Sequence, residues 1–128
     1  MSLNRIFNTW VGEPSKLILL KAVLDTIVQE KLLDQVTEVG QQLQTGLADL
    51  SIRHPGLLAN VRGRGTFCAV DCDTAARREK IVTEMRRLGV HLGVCGDTAI
   101  RFRPTLTFDQ KHLDILLDRL DTVLTRVA

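Results

Sequence analysis

The sequence predicts an α+β fold, in which helices cover one face of a small antiparallel sheet and an extra helix lies at the N-terminal end. Three observations predict it. The chain has 128 residues, 45% of them hydrophobic, which is enough for one buried core without disulfides or metal ions. Four segments repeat apolar residues at the helical period, and two pairs of short alternating segments lie between them.

The first helix is predicted from Pro14 onward, with Ser15 as its expected cap. Seven of the nine residues from Lys16 to Leu24 are apolar, so apolar side chains occupy nearly every side of this helix. A surface helix carries a single apolar stripe. We therefore expect the first helix to be packed from several directions, including by polypeptide outside this chain.

Two further helices are amphipathic. The second one ends near His54-Pro55-Gly56, and its apolar positions recur every three or four residues: Leu32, Val36, Val39, Leu43, Leu47 and Leu50. The last helix is predicted to start with a capping box formed by Thr107 and Gln110. One of its faces carries Leu113, Leu116, Leu117, Leu120, Val123, Leu124 and Val127.

Two strand pairs and one helix fill the middle of the chain. The stretch 58–71 reads as two strand pieces, with a bulge or bend expected at its glycines. A third helix follows, capped by Asp73 or Thr74 and ended at Gly89. The stretches 90–94 and 99–103 then predict a second strand pair, joined through Cys95-Gly96-Asp97.

Composition excludes several classes of function. The formal net charge is only +2, so nucleic-acid binding through the clustered arginines is a weak alternative that would show a steep salt dependence. No apolar run reaches 18 residues, so no membrane partner is expected. The three cysteines lack a CxxC pair and are expected to be buried free thiols. His54, His91 and His112 have no neighbours at metal-ligand spacing, so no metal site is expected.

Two features could bind anions. Arg101 and Arg103 alternate with apolar residues along a strand, which places both guanidinium groups on one face. The polar turn 8–14, which contains Thr9, comes directly before a helix, where a hydroxyl and free backbone N–H groups can hold a phosphate. A solvated strand edge and ordinary helix capping are the alternative interpretations of these two features.

Three blocks of the sequence, residues 5–16, 61–68 and 95–106, resemble the C-terminal part of the 4-aminobutyrate aminotransferase family. They occur in the order and spacing found in that family, and the resemblance runs from about Asn4 to the end of the chain. This family belongs to the class III, fold-type I aminotransferases. The resemblance implies pyridoxal 5'-phosphate as cofactor, homodimers with active sites at the subunit interface, and transfer of an amino group from 4-aminobutyrate to 2-oxoglutarate.

The resemblance also implies roles for individual residues. Thr9 matches a threonine that contacts the cofactor phosphate of the neighbouring subunit, and Arg101 matches an arginine that pairs with an active-site glutamate or meets the α-carboxylate of glutamate or 2-oxoglutarate. Arg103 is expected to have a structural role. Gly63 and Gly65 are expected to be needed for the backbone conformation. The cofactor-binding lysine lies upstream of Arg5 in the family, so no catalytic residue is expected in this chain, which should be inactive alone.

The expected organisation is a segment at 1–30 that links to an absent large cofactor-binding domain, and a small α+β domain at 31–128. Its partners would be that large domain, the homodimer partner, and small amino acid and 2-oxo acid substrates. The resemblance further implies an intracellular, soluble protein, in the mitochondrial matrix if the source is an animal and otherwise cytoplasmic.

Two alternatives remain open at this point. One is another class III ω-aminotransferase, with lysine, ornithine or a β-amino acid as donor. The other is a non-catalytic α+β module that binds a carboxylate ligand or a protein.

Overall fold

A computed structural model describes residues 9–127, so residues 5–8 of the first matching block lie outside the described part. The chain divides into two compact units, Met1–Leu32 and Leu33–Ala128. The roles expected for the ranges 1–30 and 31–128 stay predictions.

The first helix, α1, spans Pro14–Gln29, as expected. Its cap is Glu13, so the prediction of Ser15 was wrong. The Glu13 carboxylate accepts hydrogen bonds from the backbone N–H groups of Ser15 and Lys16, both at 3.1 Å. Pro14 at the first helical position has no N–H to satisfy, which favours a cap one residue before the proline. No α1 residue is buried.

The remaining elements follow in the predicted order. They are α2 (Leu32–Arg53), β1 (Leu58–Arg64), β2 (Phe67–Cys72), α3 (Ala75–Arg87), β3 (Gly93–Cys95), β4 (Ala99–Phe102) and α4 (Gln110–Val127). The four strands form one sheet in the order β1-β2-β4-β3, and every neighbouring pair is antiparallel. The predicted α+β class is confirmed.

The core lies between the sheet and helices α2, α3 and α4. Burial alternates along β2, where Cys68, Val70 and Cys72 point into the core while the residues between them are partly exposed. The helices contribute the fully buried side chains of Leu43, Leu47, Leu50, Ile81, Met85, Leu113, Leu120, Val123 and Leu124. The other face of the sheet is therefore left for polar residues.

Strand β3 begins three residues later than predicted. Gly89 adopts a left-handed φ of 81° after α3, and the Val90 N–H donates to the Met85 carbonyl at 2.9 Å. Thr74 caps the start of this helix, as expected. The hydrogen bonds that end α3 engage the N–H groups of residues 89 and 90, which keeps these two residues out of the sheet.

The bend expected at the glycines of 58–71 lies at Gly65, between β1 and β2, and β1 has a separate bulge before it. The register shifts between Ala59 and Arg62, and Asn60 has a φ of 53°. The bulge is thus centred on an asparagine, which tolerates the left-handed region better than most residues. Gly65 has the expected backbone role, since it adopts a left-handed φ of 55° in the turn that joins β1 to β2.

Helix α4 starts with a different cap from the predicted capping box. The Asp109 carboxylate accepts a hydrogen bond from the His112 backbone N–H at 3.2 Å. The Thr107 hydroxyl instead lies 3.0 Å from the Thr105 hydroxyl. An ionised carboxylate is the better acceptor at a helix N-terminus, because it also interacts with the helix dipole.

The cysteine prediction holds for two residues of three. Cys68 and Cys72 are buried free thiols, and burial raises the pKa of each to about 11. Cys95 is exposed, because it lies at the end of the edge strand β3 beside a turn.

Within residues 9–127, no helix is long and apolar enough to cross a membrane. The same residues contain no cluster of His, Cys, Asp and Glu that could hold a metal ion.

Candidate functional site

Arg101 lies near the middle of the sheet face that points away from the helices. Its neighbour on β2 is Ala69, and its neighbour on β3 is Gly93. Ile100 and Phe102, on either side of it in β4, are buried in the core. Alternation along the strand therefore directs the half-exposed Arg101 side chain outward, between two small residues.

The Arg101 guanidinium makes no hydrogen bond or ion pair with any residue in the described range 9–127. Asp71 is a carboxylate on the same face of the sheet, two residues along β2 from Ala69. It already accepts hydrogen bonds from Arg62 at 2.8 Å and from the Asn60 amide at 3.2 Å. These contacts, with Arg62 the larger effect, hold the pKa of Asp71 below its usual value. The guanidinium N–H groups of Arg101 are therefore not paired with Asp71 and can donate to another anion.

The Arg101 side chain lines a cavity of about 560 Å³. The walls are partly apolar, with Leu43, Val90, Leu92, Phe102, Pro104, Phe108, Ile115 and Leu116. They also carry five basic side chains and no acidic one, namely His91, Arg101, Arg103, His112 and Arg119. Such a lining suits a ligand with an anionic group and an apolar body.

Two of these basic groups already have protein partners. Arg119 donates to the Leu88 carbonyl, and His112 Nδ1 lies 2.6 Å from the Asp109 carboxylate. The described residues provide no such partner for Arg101 or Arg103. Arg103 follows β4 directly and is exposed, so the geometry does not assign it a structural contact.

Thr9 belongs to the first unit and lies in an exposed turn before α1. Its hydroxyl has no hydrogen-bond partner in the described part of the chain. The amide groups of Ser15 and Lys16 at the helix N-terminus donate to Glu13 instead of remaining free. A phosphate at this turn would therefore meet the Thr9 hydroxyl rather than those two amides.

Sequence reasoning did not place Gly93, His91, His112 and Arg119 in the same cavity lining as Arg101. His112 and Arg119 come from α4, so no local pattern links them to β4. Gly93 would have been found from the strand register, since it pairs directly with Arg101. The predicted strand pair 90–94 and 99–103 contains both residues, but no register was assigned to it.

Comparisons with known proteins identify the family of the chain. The model of the aminotransferase class-III family matches residues 2–124. The mitochondrial 4-aminobutyrate aminotransferase of Mus musculus is 48% identical over 120 residues, which cover 94% of this chain and 24% of that protein. The 4-aminobutyrate aminotransferase of Dictyostelium discoideum is 44% identical over 117 residues, 91% of this chain and 24% of that protein.

Solved structures share the fold. A lysine aminotransferase from M. tuberculosis superposes with a TM-score of 0.91 at 26% identity, over 98% of this chain and 29% of that one. An ornithine aminotransferase from Plasmodium yoelii gives a TM-score of 0.86 at 18% identity, over 100% of this chain and 34% of that one.

The chain belongs to the class-III aminotransferases, and its fold is found in fold-type I enzymes of this kind. Within that family it is similar to the 4-aminobutyrate aminotransferases of mouse and Dictyostelium along more than nine-tenths of its own length. It spans about a quarter of the length of these curated relatives.

Class-III aminotransferases use pyridoxal phosphate, and the residues present fit part of what that cofactor needs. The exposed Thr9 hydroxyl suits its phosphate. All five lysines of the chain are exposed, and none lines the Arg101 cavity: Lys16, Lys21, Lys31, Lys80 and Lys111. The chain thus offers anion-binding groups, and no lysine at the cavity for covalent attachment.

Proposed function

We propose that this chain is the C-terminal small domain, with a short preceding segment, of a pyridoxal-phosphate-dependent 4-aminobutyrate:2-oxoglutarate aminotransferase. Arg101 binds a substrate carboxylate and Thr9 contacts the cofactor phosphate across a homodimer. The observation that carries this proposal is the unpartnered guanidinium of Arg101, which lines a cavity of basic and apolar side chains within the described residues 9–127.

The chemistry of Arg101 suits this role. A guanidinium presents two parallel N–H donors that match the two oxygens of a carboxylate. The α-carboxylate of glutamate or 2-oxoglutarate would take both donors, and a glutamate side chain of the large domain would take the same place when 4-aminobutyrate is bound. Exchange between these two partners requires that no acid of the small domain neutralise Arg101. The hydrogen bonds from Arg62 and Asn60 to Asp71 support this requirement.

Thr9 and the large domain supply the cofactor contacts. Pyridoxal phosphate, when bound, provides the electron sink for amino transfer. From this chain, the Thr9 hydroxyl would donate to a phosphate oxygen of the neighbouring subunit. The lysine that holds the cofactor would come from the large domain, so the 128-residue chain should not turn over substrate alone.

Replacement of Arg101 in the complete enzyme tests the proposal. Arg101→Lys keeps the charge but loses the two-pronged geometry, so we expect the KM for 2-oxoglutarate to rise by about tenfold or more, as for a lost hydrogen bond to a charged group. Arg64→Lys is the matched control, because Arg64 is an exposed arginine of β1 outside the cavity. An unchanged KM in Arg101→Lys, measured by steady-state kinetics, would refute the role of Arg101.

The amino donor is tested separately. The identity of 48% to a 4-aminobutyrate aminotransferase, against 26% to the lysine aminotransferase, supports 4-aminobutyrate as donor. The enzyme should therefore have a higher kcat/KM with 4-aminobutyrate than with lysine, ornithine or β-alanine. A preference for one of the other donors would favour a different ω-aminotransferase. The mitochondrial name of the mouse relative supports a mitochondrial location if the source is an animal.

A further inference from the structure

Gly93 is the cross-strand neighbour of Arg101 on the edge strand β3. The Arg101 guanidinium lies directly over it. A Cβ atom placed on Gly93 would be 3.2 Å from Arg101 Nη2 and 3.3 Å from Nε, closer than an ordinary van der Waals contact. The charged end of Arg101 therefore occupies the space that a side chain at position 93 would fill.

This arrangement differs from that of an ordinary strand arginine. Side chains in a sheet stand roughly perpendicular to it. Arg101 instead leans across β3, toward the side where residues 89–93 form part of the cavity wall. The direction of the guanidinium is thus tied to the absence of a side chain on its neighbour.

Backbone conformation does not explain the glycine. Six other glycines of the described chain have a positive φ, but Gly93 does not. An edge strand normally favours β-branched or aromatic residues at such a position. The close approach of the Arg101 guanidinium is the contact that a side chain at position 93 would disturb.

We propose that Gly93 is a positioning residue for substrate recognition. It lets the Arg101 guanidinium lie across β3 and point its donors into the cavity, at the place where a 2-oxo acid carboxylate docks. This inference rests on the proposed function of Arg101 and adds the residue that sets the direction of its side chain.

A graded pair of substitutions tests the inference in the complete enzyme. In Gly93→Ala the guanidinium end of a flexible side chain must move by a few tenths of an ångström, so we expect a rise of about twofold to threefold in the KM for 2-oxoglutarate. In Gly93→Val the same space is filled, and the KM should rise by about tenfold. The kcat at saturating substrate should change by less than about twofold, since a loss of uniform binding affects KM.

The Arg101→Ala background supplies the control. If Gly93 acts through Arg101, Gly93→Val should add no further rise in KM once the guanidinium is gone. A second readout is independent of catalysis. The Nε–Hε resonance of Arg101, in nitrogen-15 spectra of the 128-residue chain, should shift in Gly93→Val.

The outcomes separate the two proposals. If Arg101→Ala raises the KM but Gly93→Val leaves both the KM and the Arg101 resonance unchanged, Gly93 is not a positioning residue and the proposed function stands. An equal rise from Gly93→Val with and without Arg101 also overturns the inference. If Arg101→Ala leaves the KM unchanged, the proposed function fails, and a shifted Arg101 resonance in Gly93→Val would then support only the structural contact.

Discussion

At the scale of single residues, the outer face of the sheet keeps one arginine occupied and one free. Arg62, Ala69, Arg101 and Gly93 form a row across the four strands, from β1 to β3. Arg62 reaches Asp71, whereas Arg101 has no acidic partner among residues 9–127. Ala69 carries only a methyl group and Gly93 has no side chain, so neither of them covers the half-exposed second guanidinium. A carboxylate from outside the domain can therefore reach it.

The Arg62–Asp71 pair predicts a pH-dependent contribution to stability. Hydrogen bonds from Arg62 and Asn60 lower the pKa of Asp71, so the pair stabilises the fold above the ordinary Asp pKa of about 3.9. The stabilisation is lost as the pH falls through the lowered pKa. Both side chains are partly exposed, so Arg62→Ala should cost only about 0.5 kcal/mol at pH 7.

Urea unfolding of the wild type and of Arg62→Ala at pH 7 and near pH 2 measures this difference. It should vanish at the lower pH. Arg64→Ala removes an arginine of the same strand that has no acidic partner among residues 9–127, so it should show no such dependence. A difference that persists at low pH would show that Arg62 acts through packing instead.

At the scale of elements, helix α2 rests directly on the turn between β1 and β2. A Cβ on Gly40 would overlap the carbonyl carbon of Gly65, so the two backbones approach closely. The Gln44 side-chain amide donates to the Gly65 carbonyl at 3.1 Å, one turn further along α2. The two glycines and this hydrogen bond together fix where the helix crosses the hairpin.

Two glycines in α2 provide a matched test of this crossing. Gly40→Ala should destabilise the fold by about 2 kcal/mol or more, because backbone must move to admit the methyl group. In Gly46→Ala the new Cβ meets only the end of the Leu117 side chain, 2.5 Å away, which can change rotamer. The higher helix propensity of alanine, worth about 1 kcal/mol, offsets part of that cost.

The free energy of unfolding, from urea titrations followed by circular dichroism, gives the comparison between the two glycine variants. Equal losses in Gly40→Ala and Gly46→Ala would contradict a backbone contact specific to Gly40.

At the scale of the whole molecule, the chain exposes an apolar helix. None of the residues of α1 is buried, and the exposed fractions include 57% for Leu17, 53% for Leu20 and 53% for Leu24. These three leucines recur at helical spacing and so lie on one face. Curated relatives are about four times as long as this chain, so the proposed large domain and partner subunit are the natural cover for α1.

The isolated chain should therefore self-associate or bind a hydrophobic dye. Sedimentation velocity across a range of protein concentrations measures association, and the fluorescence of an apolar dye measures exposed surface. Leu17→Glu with Leu24→Glu should reduce both, because it breaks the apolar face of α1. Ile52→Glu, at an exposed position of α2, is the control that should change neither. A monomeric wild type that binds no dye would contradict the prediction.

The sequence alone determined the fold class, the order of the elements and most of the buried residues. These depend on local periodicity, such as the apolar positions of α4 and the alternation along β2. Local periodicity involves only residues that are close together in the chain, so the sequence shows it directly. It also indicated Arg101 and Thr9 through blocks that resemble a known family.

Only the tertiary structure decided the caps of α1 and α4, the start of β3 and the neighbours of Arg101. Glu13 and Asp109 cap because the backbone brings their carboxylates to the helix amides, although a serine and a threonine with the usual capping chemistry lie nearby. Gly93 meets Arg101 through strand register, and Gly40 meets Gly65 through the crossing of a helix over a turn. Such contacts join residues far apart in the chain, and their geometry is fixed only when the core packs.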